Sequence, residues 1–199
     1  LRDVIAKAKA NNMPNDNISR SIKKAAGELG NVEYTEITYE GYAPGGVAVI
    51  VECISDNRNR TASDVRHCFA KNDGSLGVNG SVSFLFDKKG VLVVARNADM
   101  DEDEMMMQAL DAGAEDMQAM DDAFEITTDP NEFSAVREKL EGAGLEFLSA
   151  EVQMIPQNTV TPAEENIEKI QNLLEMLEDN DDVQNVWHNA ELPEEPEEE

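Results

Sequence analysis

The sequence contains few of the residues from which catalytic and metal sites are usually built. Only two histidines and two cysteines occur among 199 residues. Neither histidine belongs to a spacing such as H-E-x-x-H, and there is no G-x-S-x-G elbow or Walker loop. Cys53 and Cys68 are too isolated for a disulfide framework or a zinc site. We therefore predict no enzyme activity, no metal and no cofactor, and we expect a reducing, cytoplasmic compartment.

Long apolar runs and aromatic residues are also scarce. No stretch approaches the roughly 20 apolar residues that a membrane helix needs, and no signal peptide opens the chain. Aromatic residues make up 5% of the chain, so base stacking is a poor expectation. The length of 199 residues fits one domain or two to three small ones, and the 41% of hydrophobic residues suffices for packed cores instead of disorder. We expect a soluble protein with no membrane contact and no small-molecule substrate.

Basic residues are few and unevenly distributed. The formal net charge is −26, yet residues 1–96 carry 13 basic and 11 acidic side chains, whereas residues 97–199 carry 3 and 31. The chain also begins in helical sequence without a methionine, which indicates that it starts inside a longer protein. The uneven distribution of charge predicts that one end of the protein can approach phosphate and that phosphate repels the other end.

Three basic patches are candidate contacts to nucleic-acid phosphates, although each alone is also typical of a solvated helix face. The third patch surrounds a helix that we expect Thr61 to cap, and its arginines at 58 and 60 would then precede an N-terminus that favours anions. With the arginine at 66 they form our preferred phosphate contact. The patches are Lys7 and Lys9; Arg20, Lys23 and Lys24; and Arg58, Arg60, Arg66 and Lys71.

A glycine-rich loop follows the third patch and contains Gly74, Gly77 and Gly80. Its backbone N–H groups could cradle a phosphate and shape the approach of nucleic acid. A mobile turn before a strand at Ser81–Phe86 is the alternative interpretation.

Hydrophobic periodicity predicts an α/β (α+β) fold. Helices are expected at 2–11 and 14–26, and strands at 35–42 and 47–54, the second of them central. Residues 90–156 have the βαββαβ order of a ferredoxin-like unit, with Met106, Met107 and Leu110 facing inward on its first helix. We expect four parts: an N-terminal helical domain at 1–30, a discontinuous α/β domain at 31–88 and 157–190, an inserted ferredoxin-like domain at 89–156, and an acidic disordered tail at 191–199.

Several motifs resemble the YebC family, over essentially the whole chain. Two departures from that pattern occur: the basic segment that usually precedes Leu1 is absent, and Asp73-Gly74 replaces the usual Gly-Gly. The motifs are Asn12-Met13-Pro14-Asn15-Asp16-Asn17-Ile18, Tyr39-Glu40-Gly41-Tyr42-Ala43-Pro44-Gly45-Gly46, Asp56-Asn57-Arg58-Asn59-Arg60-Thr61, Ala114-Glu115-Asp116 and Asp182-Val183-Gln184-Asn185-Val186-Trp187-His188-Asn189.

The resemblance implies three domains, a helical bundle and two α/β domains around a cleft. It also implies a role in gene expression. Family members are labelled probable transcriptional regulators with DNA binding, while others, including mitochondrial relatives, are regarded as translation factors on the ribosome. The expected partner is therefore nucleic acid, either DNA or the rRNA and tRNA of the ribosome. The label favours a DNA-binding transcriptional regulator, with the translation factor as the alternative.

Overall fold

The computed structural model describes residues 2–27, 34–97 and 100–193, and these form a mixed fold with two antiparallel four-stranded sheets. The predicted α/β class is confirmed. The chain divides into two compact units, one made of Leu1–Gly30 with Lys88–Met154 and the other of Asn31–Asp87 with Ile155–Glu199. The finer division into a helical, a discontinuous, an inserted and a tail segment stays a prediction.

The second unit is built on a sheet with the strand order β3-β1-β2-β8. Its strands are β1 (Thr35–Ala43), β2 (Val47–Ser55), β3 (Ser75–Leu76) and β8 (Val183–His188). The helices α3 (Arg58–Lys71) and α6 (Glu164–Glu178) supply core side chains such as Phe69 and Leu173 to one face of this sheet. Central β2 is buried on both faces from Val47 to Val51, as its continuous apolar run predicts.

Strands β1 and β2 form a hairpin around Pro44–Gly46, which adopt a single 3-10 turn. Gly45 and Gly46 have φ of 77° and 79°. Side chains rarely tolerate this left-handed region, so the glycine pair fixes the turn and with it the register Ala43↔Val47. That register places Glu40 opposite Ile50, a buried position.

Residues 86–156 have the predicted βαββαβ order. The elements are β4 (Phe86–Ala95), α4 (Glu102–Ala112), β5 (Asp116–Ala119), β6 (Ala123–Thr128), α5 (Phe133–Gly142) and β7 (Phe147–Pro156). The sheet order is β5-β6-β4-β7, and the two outer strands therefore flank the first and third strands, as in a split βαβ unit. Leu92, Phe124 and Leu140 lie in its core.

Two short helices precede this sheet in the first unit. They are α1 (Arg2–Ala10) and α2 (Asn15–Gly27), which Pro14 separates as predicted. Ile18 is buried, but Val4 is 69% exposed and Ala25 is exposed as well. The apolar stripes expected on these helices are therefore only partly buried.

Two sequence predictions, the strand at 81–86 and the buried face of helix α4, are wrong wholly or in part. Residues 81–85 do not form a strand: Ser83–Leu85 make a 3-10 turn, and the short strand β3 lies earlier, inside the glycine loop. Helix α4 buries Met105 and exposes 61% of Met107 and 47% of Leu110, whereas Met106 packs against the core as predicted.

Helices α5 and α6 both begin without a side-chain cap. Helix α5 begins at Phe133, and the Asp129 carboxylate before it closes a turn on the Asn131 N–H at 2.8 Å. Before helix α6, Thr161 donates to the Glu191 carboxylate at 2.8 Å. Of the predicted tail, Leu192 packs against the core of the second unit. Residues 194–199 lie outside the described residues.

Candidate nucleic-acid interface

Helix α3 begins earlier than the sequence suggests, and this changes where its arginines lie. Asn57 is the N-cap residue, and its side chain accepts a hydrogen bond from the Arg60 N–H at 3.1 Å. Arg58 and Arg60 therefore belong to the first helical turn instead of preceding it. Thr61 is buried in that turn, and its hydroxyl oxygen lies 3.1 Å from the Asn57 carbonyl oxygen. The prediction that Thr61 caps the helix is wrong.

Arg58 and Arg66 lie near the same aromatic side chain, Tyr39 of β1. The Tyr39 hydroxyl donates to the Arg58 carbonyl at 3.5 Å. Burial raises the pKa of Tyr39 above 10.0, the positive charges of both arginines oppose that rise, and the negative charge of Asp182 adds to it. Both arginines are exposed, and within the described residues neither guanidinium forms a hydrogen bond or an ion pair. We call Tyr39, Arg58 and Arg66 the arginine pair site.

Arg60 points to the other flank of the helix and is already neutralised. Its Nη2 lies 2.9 Å and 3.0 Å from the two oxygens of Asp182, and 3.0 Å from Asp56. The same Asp182 carboxylate accepts hydrogen bonds from Thr61 at 2.7 Å and Ser55 at 3.0 Å. Burial raises the pKa of Asp182, but these hydrogen bonds and the arginine charge outweigh it and lower the pKa below 3.8.

The surroundings of Arg60 are acidic. It lines a shallow cavity of about 510 Å³ together with Tyr34, Asn180 and four carboxylates, those of Asp56, Asp64, Asp181 and Asp182. A phosphate entering this cavity would meet several negative charges. Arg60 therefore stabilises the junction between α3 and the segment before β8, and the cation that it carries is not available for phosphate.

Lys71 lies in the last turn of α3, far from the arginine pair site. Thirteen residues separate it from Arg58, which corresponds to roughly 20 Å along a helix. Between them the helix is anchored by Val65, Cys68 and Phe69, which pack in one core cluster. The Cys68 thiol donates to the Met176 carbonyl at 3.7 Å, and burial raises the pKa of that thiol. His67 is exposed on the opposite side.

The glycine loop is organised around a carboxylate of the chain itself. Glu40 is 5% exposed. Its Oε1 accepts the Gly80 N–H at 2.7 Å, and its Oε2 accepts the N–H groups of Val82 and Ser83, each at 2.8 Å. Burial raises the pKa of Glu40, but the three backbone hydrogen bonds outweigh it and hold the pKa below 4.5. These N–H groups, which could have cradled a phosphate, are already bonded to an internal anion.

The same carboxylate explains why residues 81–85 are not a strand. A strand needs its N–H groups for pairing with a neighbour. The donors of Val82 and Ser83 are used by Glu40, and the chain turns before it enters β4 at Phe86.

Each glycine of the loop has an internal structural reason. A Cβ at Gly74 would lie 2.9 Å from the Tyr42 carbonyl oxygen, and one at Gly77 would lie 2.5 Å from the Ser81 hydroxyl. Gly80 has φ of 84°, in the left-handed region. The glycines therefore allow the loop to close on its own strand, and none of them is required by an approaching ligand.

The two other basic patches lie on the N-terminal helices. Lys9 of α1 and Arg20 and Lys23 of α2 are exposed. Lys7 and Lys24 lie in the same helices, and their side chains fall outside the described residues. The three described cations belong to a different compact unit from the arginine pair site.

Two groups that organise the site were not found from the sequence. Glu40 and Asp182 bind donors that lie 40 or more residues away along the chain. For Glu40 a signal existed: in a hairpin turning at Pro44–Gly46 it must face Ile50, so an acidic residue sits at a buried position and requires donors. For Asp182 we find no comparable signal.

Potential metal ligands are scattered through residues 2–27, 34–97 and 100–193. Among these residues, no three His, Cys, Asp or Glu side chains group in a way that could hold a metal ion. None of the helices in the described part of the chain has the length and apolar character required to cross a membrane.

Comparison with known proteins identifies relatives over most of the chain. Residues 34–190 match a family model described as the second and third domain of TACO1/YebC. A probable transcriptional regulatory protein of Clostridium novyi is 62% identical over 195 residues, which cover 98% of this chain and 79% of the relative. One from Clostridium tetani is 59% identical with the same coverage.

A solved structure agrees with the fold. The crystal structure of a conserved hypothetical protein from Aquifex aeolicus superposes with a TM-score of 0.83 at 46% identity, over 100% of this chain and 82% of that one. The curated relatives carry the name of regulatory proteins, and not of enzymes. The chain therefore belongs to the TACO1/YebC family.

Proposed function

We propose that this chain is a nucleic-acid-binding regulator of gene expression without a catalytic role, and that it holds phosphates through the arginine pair site. The proposal rests on the different surroundings of two arginine side chains in one helical turn. Arg60 is neutralised by Asp56 and Asp182, whereas Arg58 keeps an exposed guanidinium. In a chain with 42 acidic residues and 16 basic ones, exposed cations without a carboxylate partner are the groups from which phosphate affinity can come.

DNA is the first candidate partner. The names of the relatives from Clostridium refer to transcription. The exposed face of α3 also carries Asn59 and Ser63 between the two arginines, and such side chains can hydrogen bond base edges in a groove. Phosphate contacts from Arg58 and Arg66 would orient the helix, and these polar side chains would then decide whether sequence is read.

We place the protein in the cytoplasm, where the free thiols of Cys53 and Cys68 are stable.

Duplex binding measured by fluorescence anisotropy across a salt series tests this proposal. The double variant Arg58→Ala/Arg66→Ala should bind more weakly, and the slope of log K against log salt should fall by about 2, because two phosphate contacts are lost. The matched control is Lys88→Ala/Lys139→Ala, which removes the same charge from exposed positions outside the site that are not paired with a carboxylate. Equal losses in both double variants would mean that only net charge matters, and the arginine pair site would be wrong.

A translation factor on the ribosome is the second candidate. The specific observation that favours it is the separation of the cations into small patches, with acidic surface such as the cavity around Asp56 and Asp182 beside them. An extended duplex would meet that acidic surface, whereas folded ribosomal RNA can offer phosphates at isolated points. Sedimentation of the chain with ribosomal particles, before and after DNase, distinguishes the two candidates. Co-sedimentation that survives DNase and is lost in Arg58→Ala/Arg66→Ala would favour the ribosome.

A further inference from the structure

The glycine loop contains the single Asn-Gly pair of the sequence, Asn79-Gly80. Asn79 is exposed at the loop surface. Asn-Gly pairs are the peptide sites most prone to spontaneous deamidation, because glycine places no side chain in the way of the attacking nitrogen. The unfolded chain is therefore expected to deamidate first at this pair.

The chemistry of that reaction defines what the fold must prevent. The backbone nitrogen of Gly80 loses its proton and attacks the side-chain carbonyl carbon of Asn79. A nitrogen–carbon bond forms, the bond to the side-chain amide nitrogen breaks, and ammonia leaves. Water then opens the cyclic imide at either carbonyl and yields aspartate or isoaspartate. The net reaction consumes one water and releases one ammonia, with no oxidant or other reactant.

The attacking nitrogen is the one that Glu40 holds. The Gly80 N–H points to Glu40 Oε1 at 2.7 Å. Removal of its proton would place a second negative charge beside a buried carboxylate, which is strongly unfavourable. The attack would also require the Gly80 peptide to rotate away from Glu40. The nearby N–H groups of Val82 and Ser83 oppose this rotation, because they are bound to the other oxygen of the same carboxylate.

We propose that Asn79 is a latent deamidation site and that the Glu40 carboxylate keeps it unreactive in the folded protein. Reaction then requires the loop to leave Glu40, so the rate reports local opening and not only the exposure of Asn79. Isoaspartate at position 79 adds a methylene to the backbone and a negative charge beside Glu40. Both changes oppose reclosure of the loop.

Peptide mapping by mass spectrometry tests the proposal on the full chain, incubated at mildly basic pH. Wild type should deamidate at Asn79 at least about tenfold more slowly when folded than in urea, which corresponds to an opening free energy of about 1.4 kcal/mol or more. Glu40→Gln, if folded by circular dichroism, should deamidate faster than wild type. Glu36→Gln, an exposed carboxylate on the same strand, should leave the rate unchanged, and Asn79→Ser should abolish the signal.

A second measurement keeps the proposal testable if Glu40→Gln does not fold. Hydrogen exchange of the Gly80 amide in wild type passes through the same opening, so its protection factor should match that of deamidation within a few fold. Equal deamidation rates in folded and unfolded wild type would overturn the proposal. So would a folded Glu40→Gln variant that reacts as slowly as wild type.

Discussion

Replacing Glu40 by glutamine is the most informative perturbation of stability in this structure. The substitution keeps the shape of the side chain, removes its charge, and turns one of two acceptor oxygens into an NH₂ group. In the wild type this carboxylate accepts three backbone N–H groups at 2.7–2.8 Å and is 5% exposed. At least one of those donors must lose its acceptor in the variant, because an NH₂ group cannot accept it.

The size of the effect follows from these contacts. Hydrogen bonds to a charged group contribute about 1.5–3 kcal/mol each and neutral ones about 0.5–1.5, so two retained bonds lose roughly 1 kcal/mol apiece. A buried donor without an acceptor costs a further 1–3 kcal/mol, approximately. Burying an amide is less unfavourable than burying a carboxylate, which offsets part of the loss. We expect the free energy of unfolding to fall by about 2–3 kcal/mol for Glu40→Gln.

Urea denaturation of the variant and the wild type at neutral pH measures this difference, and hydrogen exchange locates it. The amides of Gly80, Val82 and Ser83 should lose protection before those of central β2. Glu36→Gln is the control on the same strand, and its effect should stay within about 0.5 kcal/mol because the side chain is exposed. A Glu40→Gln protein as stable as this control, with the three amides still protected, would refute the assigned role of the carboxylate.

The pH dependence of the same pair of proteins has a definite sign. Because the folded pKa of Glu40 lies below its ordinary value of 4.5, the ionised group stabilises the folded protein fully above that value. Its contribution is lost as the pH falls through the folded pKa. The stability difference between wild type and Glu40→Gln should therefore shrink in acid, below pH 4.5, and remain constant above it. A difference that grows on acidification would contradict the lowered pKa.

Two further predictions concern residues other than Glu40, namely Asp73 and His188. Asp73 has φ of 56°, in the left-handed region that a β-branched side chain disfavours. Asp73→Val should therefore lower the free energy of unfolding by about 1–2 kcal/mol in urea denaturation, whereas Asp73→Gly should not. Equal effects of both variants would show that the backbone conformation is not responsible. Burial lowers the pKa of His188, whose Nδ1 accepts the Ala190 N–H at 3.2 Å. The midpoint of the His188 titration, followed by NMR, should therefore lie below 6.5. The stability that the neutral ring contributes should be lost as the pH falls through that midpoint. A midpoint at or above 6.5 would contradict the burial of the ring.

The sequence predicted those elements whose pattern leaves one solution. The run Val47–Val51 is apolar at every position and rich in β-branched residues, which favours a strand buried on both faces, as it is. The spacing of Val65, Cys68 and Phe69 places all three on one side of α3, where the core contains them. The prediction failed for α4, because three consecutive methionines satisfy several phases of a helix and the structure selects the one that buries Met105.

The candidate site could be predicted only as a set of residue types. Sequence reasoning assigned Arg58, Arg60 and Arg66 the same role, because all three lie close together on one helix. Asp182, which distinguishes Arg60 from the others, lies 122 residues further along the chain. No local pattern reports a pairing over that distance. The same holds for the loop, where glycine content suggested a phosphate cradle and the anion that fills it comes from β1.

The carboxylates of the second unit therefore decide which positive groups remain available to a ligand. Glu40 occupies the N–H groups of the glycine loop, and Asp182 with Asp56 occupies Arg60. Among the described residues of this unit, the cations that remain without a carboxylate partner are Arg58, Arg66 and Lys71 of α3. A net charge of −26 is then no argument against phosphate binding. At the separation of a bound phosphate, nearby charges dominate because solvent ions screen those more than about 10 Å away. The acidic surface instead restricts which face of the protein a polyanion can approach.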